Sequence, residues 1–152
     1  MRFDNKICFL IFLLIVSCGI SVASAHDAHI AGHGFDIPDS FSLNESYANA
    51  SYLENGSGYS ISIMVNDLLD SDAIKKNHEE LGFKFIDELK FRDNESNVDI
   101  DQQNFVFENM SYEYYLFRLN NESYVISFSY PDGNEALDYE ESPVKEIINS
   151  LE

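Results

Sequence analysis

Cysteine is scarce: Cys8 and Cys18 are the only two in 152 residues, and both fall within the first 25. A chain that loses that segment keeps no thiol, which excludes a disulfide framework and a cysteine nucleophile and leaves packing to hold the fold. Basic side chains are scarce too, with 9 Lys and Arg against 27 Asp and Glu and a formal charge of −18. Such a charge repels phosphate backbones, so nucleic acid is excluded as a partner, and anionic membrane surfaces are disfavoured for the same reason. The sequence contains no Gly-x-Ser-x-Gly elbow, no phosphate-cradling glycine-rich loop and no His-Glu-x-x-His, so the common nucleophile, nucleotide and zinc-protease motifs are missing. Its long apolar run, Ile7 to Val22, falls short of the roughly 20 residues of a spanning helix.

What that run does fit is an export signal. Arg2 and Lys6, diluted by Asp4, precede it, and Ala23-Ser24-Ala25 supplies the small-x-small pattern at which signal peptidase cuts. The expected organisation is a signal peptide over 1–25, a flexible histidine-containing terminus over 26–34, and one domain over 35–152. Cleavage after Ala25 leaves 127 residues, one domain's worth, with 7 basic against 26 acidic side chains. The product is expected to be exported to the extracellular space or cell surface, to have no transmembrane span after processing, and to be a monomer whose charge attracts cations. Ile15-Val16-Ser17-Cys18 offers an alternative, a lipid anchor on Cys18. Six Asn-x-Ser triplets begin at Asn44, Asn49, Asn55, Asn94, Asn109 and Asn121; each is a glycan acceptor candidate in an exported protein.

Two candidate metal sites stand out. His26, His29 and His33 with Asp27 could hold copper, nickel or zinc, although a frayed terminus without a scaffold pays ordering entropy to bind. Asp93, Glu95, Asn97, Asp99 and Asp101 are spaced by two like the opening of a calcium loop. Val98 then stands where the loop glycine belongs and Asn104 where the bidentate Glu belongs, so Asp99 and Asp101 could offer only a weak calcium site on one face of a strand. No paired carboxylates are singled out by spacing, and no cofactor is implied.

For the fold, the clearest stretch is Tyr112 to Tyr130. Two β-rich runs flank the polar tip Asn120-Asn121-Glu122-Ser123, and a hairpin there would pair Leu119 with Tyr124, Phe117 with Ile126 and Tyr115 with Phe128 on one apolar face. Tyr47 to Glu54 and Tyr59 to Asn66 flank Asn55-Gly56-Ser57-Gly58 as a second hairpin. Asp70 or Ser71 caps a helix whose stripe is Ile74, His78 and Leu81, and Gly82 stops it. Alternation predicts a strand over 83–91, although Leu81, Phe85 and Leu89 also fit a helical stripe, so both readings stay open. Residues 93–103 read as an acidic loop, and Phe105–Phe107 as a short strand. Ser142-Pro143 opens a final helix with Val144, Ile147, Ile148 and Leu151 on one stripe, and its seat is the aromatic face of the hairpin. The expectation is an α+β domain, an antiparallel sheet of about six or seven strands packed against two helices in the order βββαββββα.

Phe35-Asp36-Ile37-Pro38 followed by Phe41 resembles the Phe-x-Ile-Pro lead-in of the Mog1/PsbP-like superfamily, with Phe41 where tryptophan is common. That resemblance implies an antiparallel sheet against helices with a closing C-terminal helix; it carries no functional residue onto this chain. The export signal, acidity and sequons also look like those of small archaeal surface proteins. The functional expectation is an exported, non-catalytic binding or accessory domain of unknown ligand. The alternatives are a carboxylate-dependent hydrolase of wall polymers and a weak metal binder using the N-terminal histidines.

Overall fold

A computed structural model describes residues 27–66, 69–134 and 136–152; the expected signal segment and His26 lie outside the described residues. The elements are β1 (Ala28–Ile30), β2 (His33–Phe35), β3 (Ser42–Ser46), β4 (Ala50–Glu54), β5 (Ser60–Asn66), α1 (Ser71–Glu80), β6 (Lys84–Asp93), β7 (Val98–Phe107), β8 (Met110–Leu119), β9 (Glu122–Pro131), a 3-10 turn at Tyr139–Glu141, and α2 (Pro143–Ser150). Strands β3 to β9 form one seven-stranded antiparallel sheet in the order β3-β4-β5-β9-β8-β7-β6, and β1-β2 is a separate hairpin. The α+β class and the antiparallel sheet with two helices are as expected from the sequence.

Alternation along β8 and β9 divides the sheet into two dry faces. Tyr115, Phe117, Ile126 and Phe128 point to one side and are packed with Ile61, Ile63 and, from α2, Val144, Ile147 and Ile148. Tyr114, Leu116 and Val125 point to the other, where Phe105 joins them and Ile74 of α1, Phe83 and Phe85 pack against the cluster. Helix α2 therefore closes the aromatic side of the central hairpin, and α1 covers its reverse.

The helix ends follow from their residues. Asp70 accepts from the Ala73 N–H at 3.0 Å, capping the first turn of α1. Gly82 has φ +92°, and the Phe83 N–H returns to the His78 carbonyl at 3.0 Å, a Schellman stop that glycine makes without a Cβ penalty. Leu81, assigned by periodicity to the apolar stripe, is 70% exposed: it sits at the C-cap, where the chain turns and the stripe ends. At α2, Ser142 accepts from the Val144 N–H at 3.3 Å, and Pro143 takes the first helical position.

Three expectations change, and one open reading is decided. Residues 28–34 are not frayed: Ala28 pairs with Phe35 and Ile30 with His33, and Ala28, Ile30 and Phe35 enter the α2-side core, so apolar burial orders a segment whose histidines read as solvated. The acidic stretch is not a loop from 93 to 103, because β7 begins at Val98; its even positions Val98 and Ile100 are buried while Asp99 is exposed, a half-buried alternation masked by the acid count. The strand reading of 83–91 holds as β6, with a bulge between Phe85 and Asp87. Finally, the central turn is two residues long. Leu119 pairs with Glu122, Phe117 with Tyr124 and Tyr115 with Ile126, a shift of two from the expected register that keeps every side chain on its face. Asn120 and Asn121 both take positive φ, 52° and 67°, as the primed hairpin turns require and asparagine tolerates.

Candidate functional site

The alternation that buries Tyr115 and Phe117 also carries Glu113 to the same face. Glu113 lies between Asn104 of β7 and Phe128 of β9 and is 3% exposed. Two tyrosines hold it: Tyr115 Oη donates to Oε2 at 2.5 Å and Tyr130 Oη donates to Oε1 at 2.8 Å. Burial raises the Glu113 carboxyl above its ordinary range, the two hydroxyls pull the other way, and the charge of Asp87 adds to the rise. Both phenols are displaced upward, chiefly by burial and also by the neighbouring carboxylate.

Beside Glu113, Gln102 Nε2 donates to Asn104 Oδ1 at 2.9 Å, and Asn104 Nδ2 donates to Asp87 Oδ1 at 2.6 Å. These amides and the Glu113 carboxyl form the polar part of a recess of about 410 Å3, walled by Leu89, Phe91, Leu137 and Tyr139. Leu89 and Leu137 are 49% and 40% exposed, so the rim is apolar and open while the floor is polar and buried, the usual composition of a small-ligand site. Glu113 also borders a smaller recess of about 260 Å3 beside Asp87, Tyr112 and Tyr130.

The roof is the segment 136–141. The Tyr139 ring lies 4.9 Å from the Phe91 ring, tilted 56° to it, and its hydroxyl donates to Asp93 Oδ2 at 3.3 Å. Burial pushes the Asp93 carboxyl up, but hydrogen bonds from the Ser96 hydroxyl, the Glu95 and Ser96 N–H groups and Tyr139 together hold it below its ordinary value. Asp138 accepts from the Glu140 N–H at 3.3 Å, and Glu140 is paired with Lys145 at 2.6 Å. The other flank of this segment is a groove of about 590 Å3 whose aromatic lining is Phe41, Tyr59 and Phe128.

Among the described residues, none of those singled out as metal ligands belongs to this recess. Asp99 pairs with Arg92 at 2.8 Å. Asp101 accepts from the Ser71 hydroxyl at 2.6 Å and lies 3.4 Å from Lys90 Nζ. Asp93 faces the opposite side of the sheet from these two, because it is opposite Val98 while Arg92 is opposite Asp99. His29 is exposed, His33 sits 3.1 Å from Glu122 Oε2 and also touches the Glu152 carbonyl through Nδ1, and His26 lies outside the described residues. Among the described residues no three His, Cys, Asp or Glu side chains are grouped to hold a metal. Of the sequon asparagines, Asn44, Asn49, Asn94, Asn109 and Asn121 are exposed. Asn55 is half-buried, with its side-chain oxygen accepting from the Ser57 and Tyr59 N–H groups at 2.9 and 3.0 Å.

Fold and site thus define an α+β domain in which a buried carboxyl held by two tyrosines lies beneath an apolar-rimmed recess. Neither a known protein family nor a curated relative matches the chain. Among solved structures, the chain is similar to a crystal structure from Bacteroides thetaiotaomicron VPI-5482, with 14% identity and a TM-score of 0.44 over 82% of this chain and 46% of that one. The chain therefore spans about half the length of that protein.

Proposed function

We propose that the chain is an exported, non-catalytic binding or accessory domain of the cell surface or extracellular space, and that the recess over Glu113 receives its ligand. One observation carries this reading: a 3% exposed carboxyl forms the floor of a recess whose apolar rim is open to solvent. A buried ionisable group in a concave site with convergent amides is the usual mark of a functional pocket. No helix among the described residues is long and apolar enough to cross a membrane.

The acids around the recess favour binding over hydrolysis. A glycosidase needs an acid and a second carboxylate on opposite sides of the scissile bond. Here both Glu113 oxygens accept from tyrosines, Asp138 caps the 3-10 turn and Glu140 is engaged by Lys145. The decisive experiment maps backbone amide shifts of the exported chain against a library of small polar ligands. Clustered shifts at Leu89, Gln102 and Leu137 are expected; shifts confined to other surfaces would overturn the assignment. Mass spectrometry of the native N-terminus tests the address. A chain starting at His26 is expected, and its intact mass shows whether the candidate sequons carry glycan, whereas a lipid-modified Cys18 would make it an anchored accessory subunit.

A further inference from the structure

The recess has a chemical sign. Among the described residues its charged lining side chains are Glu113, Asp138 and Glu140, with no lysine or arginine, and the smaller recess that Glu113 also borders adds Asp87. Glu113 thus has hydrogen-bond partners but no counter-charge in either cavity it borders. A buried carboxylate without a cation is an unfavourable arrangement, and each of its oxygens, having accepted one tyrosine O–H, retains a second lone pair. Anionic ligands are opposed by every charged group present, and by a chain whose formal charge is −18; that same field concentrates cations at the surface. The walls suit a cation with an apolar stem: Leu89 and Leu137 offer aliphatic surface, and Phe91 and Tyr139 line the recess with aromatic rings, a ring type that attracts ammonium groups.

We propose that this recess binds an organic cation, a primary ammonium on an apolar stem, with the ammonium set against Glu113 and the stem along Leu89, Phe91 and Leu137. The inference rests on the recess being the binding site; it adds the ligand's charge and shape. The compact ammonium is the simpler fit: with one lone pair on each oxygen already accepting a tyrosine O–H, a point-like donor needs no paired planar match to the carboxylate, whereas a guanidinium fork does.

The test compares three probes of one shape, hexylammonium, 1-hexanol and hexanoate, by amide-shift titration of the exported chain. Hexylammonium should shift Leu89, Gln102 and Leu137, binding at least about tenfold more tightly than 1-hexanol, a difference of about 1.4 kcal/mol, while hexanoate leaves these residues unmoved. Glu113→Gln should weaken hexylammonium by a similar factor and narrow its advantage over the alcohol. Leu137→Ala, at an exposed position that the fold does not need, should weaken both probes together and guards against misfolding of the Glu113 variant. Equal binding of 1-hexanol and hexylammonium at these residues would refute the cationic ligand and leave the binding site standing. Absence of shifts there with all three probes would refute both.

Discussion

Replacing Ile147 by alanine tests the closure of the aromatic face directly. Ile147 is 0% exposed and belongs to the cluster that joins α2 to Tyr115, Phe117, Ile126 and Phe128. Three carbons are removed, and at about 0.8 kcal/mol each their transfer contributes roughly 2.4 kcal/mol. The hole lies between a helix and a sheet whose strands are fixed by ladder bonds, so it closes only partly and adds a cavity cost, bringing the loss to about 3–4 kcal/mol. Alanine's better helix propensity returns only a few tenths of a kcal/mol, so the cavity wins. Against a total stability of about 5–15 kcal/mol, the variant should fold but unfold at much lower urea. The chain has 9 Tyr and no Trp, so tyrosine fluorescence and near-UV circular dichroism report the transition. Leu81→Ala, at a residue 70% exposed, is the control and should stay within about 0.5 kcal/mol of the parent. A loss below about 1 kcal/mol for Ile147→Ala at an unchanged urea slope, or an equal loss for Leu81→Ala, would refute the claim that α2 seals this face.

Glu113 and Asp93 should give stability profiles of opposite sign. The folded-state pKa of Glu113 is raised above 4.5, so its ionisation penalises the fold: the penalty is absent below the ordinary value and grows as pH rises toward the folded one. Glu113→Gln should therefore gain on the parent between pH 4 and pH 7 in urea unfolding, and a pH-independent difference would contradict this. The folded-state pKa of Asp93 is lowered below 3.8, so its contribution is present above that value and is lost as pH falls through the folded one. The deficit of Asp93→Asn should shrink on acidification below pH 4, and a deficit that is constant down to pH 2 would count against the hydrogen-bonded carboxylate. Gly82→Ala meets only an ordinary contact, 3.7 Å to Phe107 Cε2, but sits at φ +92°, so a loss of about 1–2 kcal/mol from backbone strain is expected. Gly56→Ala, with nothing within 4 Å and no left-handed backbone, should be nearly neutral, and equal melting temperatures for the two variants would refute the assignment of strain to Gly82.

Much of the architecture was legible because several signals agree on each element. Ser142-Pro143 ahead of Val144, Ile147 and Ile148 combines a cap, a preset φ and a stripe, and α2 follows it. The central hairpin was legible as to face but not register. Side-chain parity survives a slip of two residues, so the apolar pattern could not choose between a four-residue tip and the two left-handed asparagines. The N-terminal hairpin was hidden for another reason. Its strands are three residues each, too short for periodicity, and their order comes from tertiary contact: the Glu152 N–H donates to the Gly34 carbonyl at 3.2 Å, and the Asp36 N–H donates to Ser150 Oγ at 2.9 Å.

The recess was missed although one of its residues carries a sequence signal. Acids occur at 27 positions, so abundance hides any single one, and the stretch with the most regular spacing, Asp93 to Asp101, drew attention away from it. Position within a strand discriminates where abundance does not. Extending the Leu119, Phe117, Tyr115 alternation by one more step places Glu113 on the core face, where an ionisable side chain is expensive unless something holds it. The same alternation brings Tyr130 to that face from β9, since Tyr130 follows Phe128 and Ile126 by steps of two. A glutamate on the buried parity of a strand, two residues from one tyrosine and one strand from another, already implies a carboxyl held by phenols. What no local pattern supplies is the roof: Leu137 and Tyr139 reach the recess from a segment more than 20 residues away in sequence, so the cavity exists only once the chain after β9 has folded back over β7 and β8.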